Sequence, residues 1–227
     1  MDERKQQILR LIVEHYIAQA EAVGSKFLVE DSGLEVSAPT VRNEMRELEE
    51  QGYLTHPHTS SGRIPTEKGY IYYVENLMTI KFLDKSVISE MEKVVEGVEE
   101  YRQRVKNIAK YIAEKVQGAI IVAFDEDTIY YTGISNMFSQ PEFRDYAYAV
   151  KVSSIFDKCE KRIEMMYELF SSEKPSILIG EQNPFGSMCG LVGGRLDEKT
   201  AFTILGPTRM NYELGSAIVS YLQKGKN

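Results

Sequence analysis

Residues 37–52, SAPTVRNEMRELEEQG, fit one capped helix and little else, and they constrain everything around them. Ser37 is a good N-cap because its hydroxyl accepts from an otherwise orphaned backbone N–H. Pro39 falls in the first turn, where no helical donor is lost, and Gly52 supplies a left-handed exit. A shorter helix over KFLVEDS precedes it, with Ser25 as cap and Gly33 just past its end. Two helices joined by a short Gly-containing turn spell a helix-turn-helix. In front of both, RKQQILRLIVEHYIAQ places Ile8, Leu11, Ile12 and Tyr16 at helical spacing and predicts a first helix with one buried stripe.

On the third helix, Val41, Met45 and Leu48 share the face that must pack on the first two. The opposite face presents Pro39, Asn43 and Arg46, with Arg42 on its flank. Glu49 and Glu50 lie toward the carboxyl end, away from the end that enters a groove in helix-turn-helix docking. Asn pairs with adenine and Arg with guanine through matched groups on the major-groove edge, so Arg42, Asn43 and Arg46 are the candidates for base readout. A solvated helix face of mixed charge explains the same pattern without DNA.

The segment HPHTSSGRIPT, residues 56–66, sits between YLT and RI, both of strand character, and predicts a β-hairpin wing. Backbone N–H groups around Thr59, Ser60, Ser61 and Gly62 suit phosphate oxygens, and Arg63 adds a charge. Lys26, Ser37, Thr40 and His58 complete the candidate backbone contacts. His56 and His58 have no Cys, Asp or Glu beside them in sequence to complete a ligand set, so no metal is expected. A surface loop with none of these roles is the plain alternative.

Charge argues against a nucleic-acid partner: the net is −7, with 8 Lys and Arg against 13 Asp and Glu in residues 1–80. Such a chain repels phosphate at long range, so DNA contact requires a local basic face with the acids turned away. The length predicts a small domain plus a medium one, and a hydrophobic fraction of 43% lets both bury cores. Neither a membrane span nor a secretory signal is expected, and a cytoplasmic location is. Cys159 and Cys189 lack ligand or disulfide spacing and read as reduced, buried thiols.

Further along, Val87, Met91, Val94, Val98, Tyr101, Val105, Ile108 and Ile112 step by four and three, the heptad seam of a coiled coil and a candidate dimer contact. The other reading is a helix, or two broken near Gly97, whose stripe covers the chain's own sheet. GAIIVAF and TIYYTGI then predict paired strands, FRDYAYAVKVSSIFDKCEKRIEMMYELF a helix, SILIG and TAFTILG strands, and YELGSAIVSYLQ a closing helix. Helices around a largely antiparallel sheet make an α+β domain. No catalytic motif appears, the glycines of GLVGGR are wrongly spaced for a dinucleotide loop, and no enzyme activity is expected. Cys189 has neutral, apolar neighbours and no base, which suits a strand or loop thiol better than a nucleophile. Arg209 either binds an anionic ligand or pairs with a carboxylate of its own domain.

The run from VGSKFL through VSAPTVRNEMRELEEQGYLTHPHTSSGRIPTEKGYIYYV is similar to the winged-helix domain of the bacterial heat-inducible transcription repressors, the HrcA family. NMFSQPEF at 136–143, IGEQN at 179–183 and GPTRMNYE at 206–213 look like that family's carboxyl-terminal GAF-like domain. The resemblance implies a winged helix-turn-helix over 1–78, a linker helix or helices with a candidate dimerisation seam over 79–117, and a GAF-like α+β domain over 118–227. It implies a repressor acting at an inverted-repeat operator, called CIRCE in this family, upstream of chaperone genes, with activity supported by a GroEL-type chaperonin. The implied partners are double-stranded DNA, a second copy of the chain and that chaperonin, with no cofactor. Typical members carry a long segment with an inserted dimerising domain where this chain has only Asp125 to Ser139. Dimerisation is therefore expected through the heptad helix or the GAF-like surface. Two other classes fit the residues alone: a winged-helix protein-interaction module, favoured by the acidic first part, and a small-ligand-responsive regulator of other genes.

Overall fold

Asp2 starts the first helix, its carboxylate accepting from the Lys5 N–H at 2.9 Å, and α1 runs Glu3–Gln19 to a left-handed residue at Ala20. Its buried stripe is Ile8, Leu9, Ile12 and Val13, with Leu11 and Tyr16 only half-buried. The stripe turns away from the predicted one because α1 is covered from two sides, by α3 and by the hairpin and helix that follow. The computed structural model describes residues 1–30, 34, 36–57, 62–80, 82–125, 127–159 and 162–225, and forms two units, Met1–Thr79 and Ile80–Asn227.

In the first unit α2 spans Ser25–Glu30 and α3 Ala38–Glu50, with Ser37 capping α3 through the Thr40 N–H at 3.3 Å. Gly33, the predicted end of α2, lies outside the described residues. Val41, Met45 and Leu48 are buried as their spacing requires, and each fully buried side chain of this size contributes about 1.5–3 kcal/mol. Strands β1 (Leu54–Thr55) and β2 (Ile64–Pro65) pair antiparallel, Leu54 with Pro65 and Thr55 with Ile64. Val23 adds a bridge on the far side of the hairpin, exchanging both backbone bonds with Arg63 at 2.9 and 2.8 Å. A Cβ at Gly62 would fall 2.5 Å from the Val23 backbone, so this approach requires glycine. Thr66 then caps α4, Glu67–Tyr72, which widens into a π turn over Tyr73–Leu77.

In the second unit the heptad run is not one helix. It breaks into α5 (Lys85–Lys93) and α6 (Tyr101–Val116) around Gly97, which has φ +71°. Val105, Ala109, Ile112 and Ala113 of α6 are buried, and α6 packs on strands β3 (Ala119–Ala123) and β4 (Ile129–Thr132), so this part of the seam is covered within the chain, while Tyr101 stays exposed. The sheet order is β4-β3-β7-β6-β5, antiparallel throughout, with β5 Ser176–Ile179, β6 Cys189–Arg195 and β7 Ala201–Pro207.

The single helix predicted over 143–170 is instead a 3-10 turn at Pro141–Arg144, α8 (Tyr146–Ser153), a second 3-10 turn at Phe156–Lys158 and α9 (Ile163–Leu169). Ser153 and Ser154 donate to the Val150 and Lys151 carbonyls, both at 2.8 Å, the back-bonding that competes with helix continuation. Together with α7 (Ile134–Phe138) these segments cover one face of the sheet around Ile121, Phe143, Met166 and Phe170. The closing helix α10 (Tyr212–Lys224) packs against β6. Strand β6 was hidden in sequence by its glycines, whose role is close packing. A Cβ at Gly193 would lie 2.4 Å from the Phe170 ring, and one at Gly190 2.2 Å from the Tyr212 hydroxyl. Among the described residues no helix is long and apolar enough to cross a membrane.

Candidate nucleic-acid interface

The third helix carries four carboxylates, and each has a cation. Glu44, only 6% exposed, is held by Arg4 and by Lys5 at 3.5 Å, both from the first turns of α1. Glu47 pairs with Lys5 at 2.9 Å, and Glu50 with Arg46 at 3.7 Å. Glu49 reaches the base of the hairpin, where it takes Arg63 Nη2 at 2.8 Å and His56 Nδ1. Burial alone would raise the Glu49 carboxyl, but the His56 hydrogen bond and the Arg63 charge outweigh it and hold it below its usual range. The hydrogen bonds that Lys5 donates to Asp2 and Glu47 likewise hold it protonated well above the ordinary lysine range.

With its acids neutralised, α3 leaves Arg42 and Asn43 exposed, and neither makes an ion pair or side-chain hydrogen bond among the described residues. Arg46 is also exposed but shares its charge with Glu50 one turn on. Ser37 and Thr40 stand at the start of the same helix, their hydroxyls 2.9 Å apart, so Ser37 is already engaged as a cap. Lys26 is 82% exposed near the start of α2, with Glu30 at 3.8 Å. His58, Thr59, Ser60 and Ser61, the predicted tip of the wing, lie outside the described residues.

Arg63 departs from its predicted place as a free cation. Its guanidinium is bound by Glu49, and its backbone by Val23. Sequence reasoning also set Glu49 apart from the contact surface, whereas the fold folds it onto the hairpin. Glu44 was missed altogether. The available signal was its position on the Val41–Leu48 stripe, where a carboxylate is tolerated only if cations are brought to it. Among the described residues no group of three or more His, Cys, Asp and Glu is arranged to hold a metal ion.

In the second unit, key polar residues of the motifs are engaged internally. Arg209 donates to Glu142 Oε1 at 2.6 Å and to Gln140 Oε1 at 2.8 Å, which joins GPTRMNYE to QPEF and settles its role as an internal pair. Asn183 of IGEQN is buried, its amide donating to the Cys189 carbonyl at 3.0 Å and its Oδ1 accepting from the Phe185 N–H at 2.9 Å. Burial pushes the Cys189 thiol up to about 12, so it stays protonated and unreactive. A cleft of about 480 Å³ opens between α5, α6 and α10, floored by Met91, Val105 and Ile108.

A heat-inducible transcription repressor HrcA from Desulforudis audaxviator is 49% identical over 112 residues, 49% of this chain and 31% of that protein. The repressor of the same name from Methylococcus capsulatus is 32% identical over 191 residues, 84% of this chain and 52% of that protein. The chain thus spans roughly a third to a half of the length of these curated relatives. A crystal structure of a hypothetical protein superposes with a TM-score of 0.74 at 16% identity, covering 99% of this chain and 96% of that one, a likeness of fold. The family model described as HrcA protein C terminal domain matches residues 63–214, from the second hairpin strand to the start of α10, and the chain belongs to the HrcA family.

Proposed function

We propose that this chain is a DNA-binding transcription repressor of heat-inducible genes, with residues 1–79 a winged helix-turn-helix and the later sheet a GAF-like regulatory or assembly domain. One observation carries the reading. On a unit of net negative charge, every carboxylate of α3 is matched by a cation, while Arg42 and Asn43 stay outward and unengaged. Those two residues, with Arg46, read base edges. Lys26, Ser37, Thr40 and the hairpin tip at His58, Thr59 and Ser60 contact the sugar-phosphate backbone. Arg63, tied to Glu49, acts by fixing the hairpin on α3 more than by meeting phosphate.

The operator is an inverted repeat of the CIRCE type, which asks for two recognition helices about one DNA turn apart and hence two copies of the chain. A GroEL-type chaperonin is the proposed modulator. Footprinting of the protein on its own upstream region and on a CIRCE-like repeat, across temperature, tests the reading: both half-sites are protected in low salt. The acidic balance of the first unit favours the competing protein-interaction module, and absence of protection at either DNA would decide for it.

A further inference from the structure

A cleft of about 570 Å³ opens in the second unit where the segment after β3, helix α9 and the turn joining β6 to β7 come together. Two of its walls are tied to each other, because the Tyr167 hydroxyl of α9 donates to the Lys199 carbonyl in that turn. Arg195, the last residue of β6, lines the cleft with its backbone fixed, its N–H donating to the Ser171 carbonyl at 3.0 Å. Its side chain has no such anchor. Nε is wholly buried without a hydrogen-bond partner, and the guanidinium makes no ion pair among the described residues although carboxylates line the same cleft. A buried donor left unmatched costs about 1–3 kcal/mol, and the chain itself supplies no acceptor. Of the carboxylates, Asp125 is already engaged, by Arg102 at 2.8 Å and by the Asp127 N–H at 3.0 Å. Asp127, Glu164, Glu168 and Glu198 are exposed and make no ion pair among the described residues, and neither does Lys199. Four unpaired carboxylates thus face two unpaired cations.

We propose that this cleft binds a free basic amino acid, its carboxylate on the Arg195 guanidinium and its two cationic groups toward the Glu164–Glu168 pair and Glu198. The planar fork of arginine matches a carboxylate through two parallel N–H bonds. Glu164 and Glu168 stand one turn apart on α9, close enough to share one ammonium or guanidinium. A plain anion is a poor match, since the unpaired carboxylates repel it before it reaches Arg195. A bare metal ion is no better: no three of the described acids are gathered to hold one, and Arg195 opposes its charge. A diamine answers the carboxylates and leaves the arginine unmatched. A molecule with one negative and two positive groups answers both, and its single net positive charge opposes the excess of carboxylates in the lining. The volume is that of an ordinary small-molecule site. The inference does not depend on DNA binding and is tested without DNA.

Calorimetric titration of the full chain with L-lysine and with L-arginine should give saturable binding at one site per chain. Cadaverine, which is lysine without its carboxylate, should bind about tenfold or more weakly because the charged pair with Arg195 is lost, and L-glutamate should give no binding heat. Arg195→Gln should remove the preference for lysine over cadaverine, whereas Glu164→Gln combined with Glu168→Gln should weaken both compounds by a similar factor. Those two glutamates are exposed on α9, so the double variant tests the site even if Arg195→Gln fails to fold. No binding of either amino acid at about 10 mM overturns the assignment. Equal affinity for lysine and cadaverine, or lysine binding untouched by the double variant, overturns it as well. A chain that protects an operator half-site yet ignores both amino acids would sink this site and leave the DNA reading standing.

Discussion

In residues 1–79 the polar side chains left without partners on α3 point to solvent, whereas in residues 80–227 Gln140, Glu142, Asn183 and Arg209 of QPEF, IGEQN and GPTRMNYE are engaged within their own unit. Arg42 and Arg209 make the contrast concrete. Each is a lone arginine in a short polar motif, yet the first is exposed and unpaired and the second is clamped by Glu142 and Gln140. A motif's presence therefore says little about whether its residues bind something outside the chain. The pairing of nearby carboxylates decides it, because an exposed cation with no acid beside it keeps its full charge for a partner.

Substitutions that attack this contrast should separate stability from DNA binding. Arg209→Ala should have the largest effect, leaving a mostly buried Glu142 unpaired and lowering stability by about 3 kcal/mol in chemical denaturation, with the DNA affinity of the folded protein unchanged. Gly193→Ala forces a methyl against the Phe170 ring and should cost about 2 kcal/mol by the same assay. Asn43→Ala should leave the melting temperature alone while reducing discrimination between operator and unrelated duplex by about 1–3 kcal/mol, read by competition binding.

The smallest effect is on pH. Because Glu49 titrates lower when folded than when unfolded, its contribution is present above its ordinary value of 4.5 and fades as pH falls through the lower folded value. Acid should thus loosen the hairpin from α3, visible as faster amide exchange at Leu54 and Ile64, and Glu49→Gln should abolish that pH dependence.

Much of the first unit was legible because its signals are local. Ser37 with Pro39 and Gly52 brackets α3, the Val41–Met45–Leu48 spacing sets its buried face, and the two stretches flanking the hairpin tip read as strands. What was not legible depends on distant residues. Arg4 and Lys5 reach Glu44 across about forty positions, and Glu49 finds His56 and Arg63 only after the chain turns. The second unit hid β6 because glycines depress strand propensity, and their use appears only when Phe170 and Tyr212 are seen packed on them. The heptad spacing marks buried positions at Val87, Met91, Val105 and Ile112 but not one helix, since the chain breaks around Gly97 and α6 meets its own sheet.

The most direct test of the account is the salt dependence of binding to an inverted-repeat duplex, compared between the parent chain and the Arg42→Ala and Arg63→Ala variants. The parent should weaken steeply as salt rises, Arg42→Ala should flatten the slope by about one ion, and Arg63→Ala by clearly less because Glu49 already neutralises it. A flat salt response in the parent, or a slope untouched by Arg42→Ala, would mean that the exposed end of α3 does not meet DNA.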